Sequence, residues 1–368
     1  MPGEVVPNKI LYYKVGNLIN SGGNGCLFHG TDPKSNSHVA IKKGYNVNKE
    51  NGLSISVIRE IKILMELNLF HNPYIVQLYD VFSHDGFLYT VLNYCPFTIS
   101  TYIKQQEETH HGISIQTKKT LFYMLLKGIQ FLHENEVIHR DIKPSNLLLN
   151  TDGILNICDF GSSLLLPLPY NLHTTITTLS YAPPEVFFDK GAVTRAVDLW
   201  SAGCVFVEIF TGNTLFEANT EINTLIEIAN YCGEITPSLY ITSSSSPLSH
   251  FNTSPREHKD LLSLFPDESL SPAGMDLLSH LLDLNPKTRF TATQALSHDY
   301  FTEEPLPLSH INMVSSRRRS LFSTPNTMRL CQKLFFSPPS ASKEVTSCSY
   351  LFSSPSSTNN SFDQDDSL

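Results

Sequence analysis

Residues able to handle a phosphate group are concentrated in the stretch HRDIKPSN, which runs from His139 to Asn146. Asp141 could accept or orient the proton of an attacking hydroxyl, and Lys143 could neutralise a phosphate during its transfer. The amide oxygen of Asn146 could bind a hard cation such as Mg²⁺, and Asp159, which opens the sequence DFG, would be the main ligand. This order and spacing are very improbable by chance, so they predict a centre for phosphoryl transfer.

Three features upstream could serve the same chemistry. In the segment INSGGNGCLF, Gly22 and Gly25 would let a strand–turn–strand flap approach the phosphates closely, because no side chain intervenes. Lys42 in VAIKK could bind the α- and β-phosphates, and Glu60 could pair with Lys42 and hold it in place. Each feature alone has a simpler structural interpretation. The glycine-rich segment could be an ordinary hairpin, Lys42 a solvated lysine on a strand, and Glu60 a surface charge. Their order ahead of Asp141 and Asp159 favours the functional interpretation.

These side chains need elements to position them, and the sequence predicts two kinds of region. Up to about Tyr94, short apolar or alternating runs separated by Gly, Asn and Asp predict strands. After Pro96, long apolar-periodic segments predict helices. The predicted fold class is α+β, with a small β-rich lobe and a larger, mainly helical lobe. One helix interrupts the strands, since apolar residues recur on one face at three- and four-residue spacing: Ile55, Ile58, Ile61, Leu64 and Met65.

The composition excludes several classes of protein. The 368 residues carry a net charge of −9, with a pI near 5.8, whereas proteins that bind nucleic acid usually have a basic excess. No apolar run approaches the roughly 18–20 residues of a membrane span, and the N-terminus lacks the pattern of a signal peptide. The seven cysteines are scattered and form no CxxC pair, which is typical of a reducing compartment. We expect an intracellular protein, in the nucleus and/or the cytoplasm, that binds neither nucleic acid nor membranes.

Over Tyr13–Phe301 the sequence resembles the eukaryotic protein kinases. The segment YAPPE, which ends at Glu185, takes the place of the family's APE motif, and Asp198 in DLWSAG and Arg289 in NPKTRF match two further family positions. The resemblance implies a bilobal kinase fold with lobes at 13–94 and 95–301, and a protein substrate phosphorylated on serine or threonine with ATP and Mg²⁺. It also implies that Asp198 organises the catalytic loop, that Glu185 pairs with Arg289, and that Thr178 bridges to Asp141 and Lys143.

Within that family, SVIREI, HRDIKPSNLLL and VDLWSAGCVFVEI resemble the cyclin-dependent kinases. This resemblance implies a cyclin or cyclin-like regulatory subunit on the helix that carries Glu60. It also implies a nucleotide site built from the flap, the lysine strand, the hinge backbone and the strand after the catalytic loop. The residues so assigned to ATP are Ile19, Asn20, Ser21, Gly22, Gly23, Asn24, Gly25, Cys26, Leu27, Ala40, Lys42, Asn93, Cys95 and Leu148.

Departures from the family pattern bear on regulation. The inhibitory Thr–Tyr pair of many cyclin-dependent kinases is replaced by Gly23–Asn24, so we expect no inhibitory phosphorylation in the flap. Leu164 replaces the third basic residue of a phosphate pocket that retains Arg59 and Arg140, and the usual activating threonine aligns with His173, beside Thr174 and Thr175. Activation by phosphorylation therefore stays open at this stage.

Substrate choice and the tail also leave alternatives. Ala182 replaces an arginine that helps select proline after the acceptor, so the chain could instead be a cyclin-independent kinase that activates other kinases. A pseudokinase scaffold is a second alternative, although no catalytic residue is missing. From 302 to 368 the sequence is rich in Ser and Pro, which predicts a mostly disordered tail. Its RRRSLF segment fits a cyclin-docking motif, a basophilic-kinase site or a solvated linker.

Overall fold

The computed structural model describes residues 12–22, 25–46, 54–108, 112–167, 178–188, 193–240, 255, 257–265 and 270–311. These residues divide into two compact units. The smaller one takes its described residues from Met1–Gly52 and Tyr79–Val91, and the larger one from Leu53–Leu78 and Leu92–Arg319. Among the described residues, no helix has the length and apolar character needed to span a membrane.

The smaller unit is built on a five-stranded sheet with the order β1-β2-β3-β5-β4. β1 pairs antiparallel with β2, and β2 pairs antiparallel with β3. Aromatic and β-branched residues of the sheet form its core, which includes Phe28, Val39, Ile41 and Tyr89, because such side chains pack well on a pleated surface. The strands are β1 (Lys14–Gly22), β2 (Gly25–Thr31), β3 (His38–Asn46), β4 (Leu78–His84) and β5 (Phe87–Asn93).

The larger unit is mainly helical, and the predicted α+β class is confirmed. Its long buried helix α5 and the helix α3 supply much of the core, with Leu121, Leu125, Trp200 and Phe206 inaccessible to solvent. The described α-helices are α1 (Ile55–Asn68), α2 (Ile99–Glu108), α3 (Ile115–Glu134), α4 (Glu185–Phe188), α5 (Ala196–Thr211), α6 (Glu221–Cys232), α7 (Pro272–Leu281) and α8 (Ala292–Leu296).

Short strands in the larger unit position the loop from His139 to Asn146. Two of them, β7 (Val137–Ile138) and β10 (Leu164–Leu165), pair antiparallel, and the other three form a sheet with the order β6-β8-β9. The loop leaves β7 and enters β8 through a 3₁₀ turn, Pro144–Asn146. The three-stranded sheet consists of β6 (Phe97–Thr98), β8 (Leu147–Leu149) and β9 (Leu155–Ile157).

Helix α1 forms where the sequence predicts it, but the five apolar residues that predict it are not all buried. Ser54 caps the helix by accepting a hydrogen bond from the Val57 amide. Ile61 and Leu64 are buried, whereas Ile55, Ile58 and Met65 are 74%, 42% and 44% exposed. Apolar residues surround much of this helix, so the spacing predicted a helix without fixing which face is buried. The buried residues are Val57, Ile61, Ile63, Leu64 and Leu67.

The described chain extends ten residues beyond the predicted domain end at Phe301. Glu303 accepts a hydrogen bond through its carbonyl from the buried ammonium of Lys119, at 3.0 Å. Further along, the Ile311 amide donates to the Gly153 carbonyl at 2.9 Å, and the Ile311 side chain is buried. Residues 302–311 therefore pack on the larger unit. The rest of the predicted tail, including RRRSLF, lies outside the described residues.

Candidate active site

The loop from His139 to Asn146 is the predicted catalytic loop, and one buried carboxylate holds its backbone. Asp198, on α5, accepts hydrogen bonds from the His139 amide at 2.9 Å and from the Arg140 amide at 2.8 Å. The His133 ring nitrogen lies 2.9 Å from the same carboxylate. Complete burial opposes the ionisation of Asp198, but these partners outweigh that effect and lower its pKa. An ionised carboxylate is thus fixed beneath the loop.

Three side chains meet at the carboxylate of Asp141. The Thr178 hydroxyl donates to Asp141 Oδ1 at 2.8 Å and accepts from Lys143 Nζ at 2.9 Å. Lys143 Nζ lies 2.8 Å from Asp141 Oδ2, and the Asn146 amide nitrogen donates to the same oxygen at 2.8 Å. The Asp141 carboxylate is largely buried, yet every contact to it is a donor or a cation. This arrangement places a carboxylate that could receive a proton beside a positively charged side chain, as phosphoryl transfer requires.

The two predicted metal ligands lie at the open end of the β8–β9 hairpin. The Cys158 amide donates to the Asn146 carbonyl at 3.0 Å, which ties the residue before Asp159 to the catalytic loop. Because the Asn146 side-chain nitrogen is used by Asp141, its amide oxygen is the group left for a cation. Asp159 has a left-handed backbone, with φ of 66°, and the next residue, Phe160, is buried against the His139 ring.

This donor set fits a magnesium ion held jointly with a nucleotide. Mg²⁺ is commonly bound through one or two protein oxygens together with substrate phosphates. Within the described part of the chain, no group of three or more His, Cys, Asp or Glu residues is arranged as a metal site. The pair of Asn146 and Asp159 is therefore the candidate cation site, and its role stays a prediction.

The predicted activation segment is residues 162–185, and its end, Thr178–Glu185, is held by polar pairs. Arg289 donates two hydrogen bonds to the Glu185 carboxylate, at 2.6 and 3.0 Å, and both side chains are almost fully buried. The Tyr181 hydroxyl donates to Glu208 at 2.5 Å, and burial raises the pKa of that carboxyl. Ser201 donates to the Tyr181 carbonyl at 2.8 Å. Thr178 is consequently presented to Asp141 from a firmly anchored segment.

The start of that segment, around Leu164, is held by apolar packing and by two arginines. Leu164 is 5% exposed and packs with Ile138, Val193 and Val197. Arg59 donates to the Gly161 carbonyl at 3.2 Å. Arg140 donates to the Ser162 carbonyl at 2.6 Å, and burial, together with nearby Arg59, lowers the pKa of the Arg140 guanidinium to about 10. The candidate phosphosites Thr174 and Thr175 lie outside the described residues.

In the smaller unit, the predicted flap is the hairpin of β1 and β2. Asn20, Ser21 and Gly22 pair with Leu27, Cys26 and Gly25, and the connecting residues Gly23 and Asn24 lie outside the described residues. Position 25 requires glycine for a structural reason, in addition to the predicted close approach to phosphate. Its φ is +111°, and a Cβ there would lie 2.2 Å from the Lys43 carbonyl oxygen. A side chain at this position would break the contact between β2 and β3.

The other predicted site residues are placed within their own units. Lys42 lies on β3 opposite Leu27, and Ala40 on the same strand is buried. In the larger unit, Glu60 is half-buried on α1, and Leu148 is half-buried on β8 opposite Thr98. Ile19, on β1, is also half-buried. The structure thus brings together Asp141, Lys143, Asn146 and Thr178. Of the other predicted site residues that it describes, all but Cys95 and Asp159 lie in a strand or helix.

The predicted hinge, Asn93–Cys95, makes side-chain contacts that the sequence did not predict. The Asn93 side chain accepts from the Gln77 amide at 2.7 Å and donates to the Asn156 side chain at 3.0 Å. Cys95 lies 3.5 Å from the same Asn156 oxygen, and burial raises the pKa of its thiol to about 12, so the thiol stays protonated. Asn156 belongs to no recognisable sequence motif, so only its hydrogen bonds in the structure identify it as a hinge contact.

Residues 13–301 match the family described as "Protein kinase domain", and the chain belongs to this protein kinase family. Membership implies the use of ATP with a divalent metal ion. Among curated relatives, the chain is similar to "Cyclin-dependent kinase G-1" of Oryza sativa subsp. indica, with 33% identity over 302 residues that cover 80% of this chain and 43% of the relative. The chain thus spans less than half the length of that relative.

Two shorter relatives are covered more fully. "Cell division control protein 2 homolog 3" of Trypanosoma brucei brucei is 32% identical over 292 residues, which cover 78% of this chain and 90% of the relative. "Cyclin-dependent kinase 11" of Dictyostelium discoideum is 33% identical over 293 residues, covering 78% and 80%. Within the protein kinases, the chain accordingly belongs to the cyclin-dependent kinase family.

Proposed function

We propose that this protein transfers the γ-phosphate of ATP, bound with Mg²⁺, to a serine or threonine hydroxyl of another protein, in cell-cycle or transcription control. The observation that carries the proposal is the joint contact of Thr178, Lys143 and Asn146 with the two oxygens of Asp141. This arrangement couples a candidate base, a cation and a candidate metal ligand in one place.

Each of these residues has a task in that reaction. Asp141 orients the acceptor hydroxyl and accepts its proton, and Lys143 offsets the negative charge of the phosphate in transfer. Thr178 links the activation segment to both groups, so a displaced segment would disturb Asp141. Magnesium, held by Asn146 and Asp159, would neutralise the phosphate oxygens.

A cyclin or cyclin-like subunit is the proposed regulatory partner, and α1 is its proposed contact. Ile55, Ile58, Met65 and Leu69 are 74%, 42%, 44% and 78% exposed, and their spacing places them along one side of the helix. Exposed apolar side chains in such a row are typical of a surface that another protein covers.

A second candidate is a cyclin-independent kinase that activates other kinases. Ala182 favours it, since this buried residue supplies no guanidinium beside the substrate position. For both candidates we propose an intracellular site of action, in the nucleus and/or the cytoplasm, consistent with the scattered cysteines.

The test is phosphate transfer from ATP–Mg²⁺ to peptides that present Ser, Thr or Tyr, with and without a following proline, measured with and without cyclins. The Ile58→Asp variant probes the partner surface, and Ile222→Asp, on α6 and 52% exposed, is its matched control. We expect transfer to Ser and Thr that rises with a cyclin, and that Ile58→Asp alone abolishes this rise. Equal activity without any cyclin would favour the second candidate, and transfer only to Tyr would contradict both.

A further inference from the structure

Two asparagine side chains form a relay between three segments of the larger unit. The Gln77 amide donates to Asn93 Oδ1 at 2.7 Å, and Asn93 Nδ2 donates to Asn156 Oδ1 at 3.0 Å. Asn156 Nδ2 then donates to the Pro73 carbonyl at 2.5 Å. The relay joins the connection after α1, the end of β5 and the middle of β9, where Asn156 is 2% exposed.

The direction of the relay is fixed by its two ends. A backbone amide at Gln77 can only donate, and a proline carbonyl at Pro73 can only accept. Asn93 must therefore present its oxygen to Gln77 and its nitrogen to Asn156, and Asn156 must present its nitrogen to Pro73. Neither amide can rotate by 180° without leaving buried polar groups unpaired, which is unfavourable.

A backbone hydrogen bond also connects Asn93 to Gln77. The Asn93 amide donates to the Gln77 carbonyl at 3.0 Å, so residues 77 and 93 exchange two hydrogen bonds. The Cys95 thiol, which burial keeps protonated, lies 3.5 Å from Asn156 Oδ1. Two residues of the predicted hinge, Asn93 and Cys95, are thus connected to the single side chain of Asn156.

We propose that Asn93 and Asn156 are positioning residues for adenine binding, because their relay fixes the Asn93–Cys95 backbone that is predicted to bind the adenine ring. The inference rests on the proposed function and deepens it. The side chain of Asn93 faces protein groups at both ends, so it acts on the nucleotide through the hinge backbone. Adenine affinity should then depend on an amide whose side chain makes no contact with the nucleotide.

A nearby asparagine provides a matched control. Asn68 at the end of α1 also makes a two-point contact, donating to the Leu78 carbonyl at 2.9 Å and accepting from the Leu78 amide at 3.3 Å. Leu78 directly follows Gln77, so both asparagines secure the same connection. Among the described residues, the Asn68 side chain bonds to Leu78 and not to Asn93, Cys95 or Asn156, which makes it a comparable structural contact without the link to the hinge.

The experiment compares Asn93→Asp with Asn68→Asp in the full chain. Each substitution preserves side-chain volume, removes one amide donor and places a carboxylate oxygen against an acceptor. ADP binding is measured by calorimetry with EDTA, so that a metal held by Asn146 and Asp159 does not contribute. KM for ATP and kcat are measured with Mg²⁺, and the melting temperature of each variant is recorded.

We expect Asn93→Asp to bind ADP about five- to tenfold more weakly than wild type, the size expected for one lost buried hydrogen bond. Its KM for ATP should rise by a similar factor with kcat within about twofold, since the reacting groups are untouched. Asn68→Asp should stay within about twofold in both. If Asn93→Asp does not fold, Asn93→Ala and Asn68→Ala are compared by the same criteria.

Two results would overturn the inference, and they are distinguishable. If both variants change ADP affinity equally while wild type binds ADP and transfers phosphate, the relay is merely structural and the proposed function stands. If wild type binds no ADP and transfers no phosphate, the proposed function and the inference fail together.

Discussion

The two described ends of the activation segment are held in different ways. At its end, Thr178 and Glu185 are fixed by hydrogen bonds and charges, namely the contacts to Asp141 and the buried pair with Arg289. At its start, Leu164 packs among apolar side chains, and Arg59 and Arg140 donate to backbone carbonyls. The end contacts the groups that are proposed to react, whereas the start only has to be held in place.

This difference shows which positions tolerate a change of chemistry. Asp141 needs partners of defined charge at defined distances, so Thr178 and Lys143 cannot be exchanged for apolar residues without losing the arrangement. The start can be anchored by any interaction strong enough to fix it. Leu164 supplies such an anchor by burial, at the position where the resemblance leads one to expect a basic residue.

The largest effect on stability is expected when the polar end is broken. Arg289→Ala leaves the buried Glu185 carboxylate without its cation, and we expect the free energy of unfolding to fall by about 3–5 kcal/mol. Chemical denaturation measures this change.

The matched control is Arg195→Ala, which breaks the pair of Arg195 with Glu136 where both side chains are about half exposed. An exposed pair contributes about 0–1 kcal/mol, so the control should change little. Equal losses in the two variants would remove the distinction between the buried pair and the exposed one.

A smaller effect is expected at the apolar start. Leu164→Ala removes most of a buried side chain, and we expect the free energy of unfolding to fall by about 2 kcal/mol. Phosphate transfer should also be reduced, since the segment is less firmly held. Leu262→Ala, at a residue that is 51% exposed, is the control and should have almost no effect. An unchanged stability in Leu164→Ala would mean that Leu164 does not anchor the segment.

Much of the fold and of the catalytic loop could be predicted because the chemistry constrains residue type locally. Asp141, Lys143 and Asn146 lie within six residues, and Asp159 follows in a recognisable motif. The asparagine relay could not be predicted, since its members are separated by 16 and 63 residues and carry no pattern. The spacing in α1 predicted a helix but did not indicate its buried face, because apolar residues occur on more than one side of that helix.

The boundaries of the domain were harder to predict from the sequence. Residues 302–311 have little apolar periodicity, yet they pack because Lys119 is buried against Glu303 and Ile311 bonds to Gly153. The larger unit also includes α1, which the sequence grouped with the strands before and after it in the chain. Both features depend on contacts between distant segments, which periodicity does not report.

The central claim is that Asp141 serves as the base of a phosphate-transfer centre, and transfer by wild type and Asp141→Asn tests it most directly. Asp152→Asn, at an exposed position in the β8–β9 turn, is the control. The account predicts that Asp141→Asn folds and binds ADP like wild type but transfers phosphate about 10²–10⁴-fold more slowly, while Asp152→Asn is unchanged. Equal rates for wild type and a folded Asp141→Asn would contradict the account.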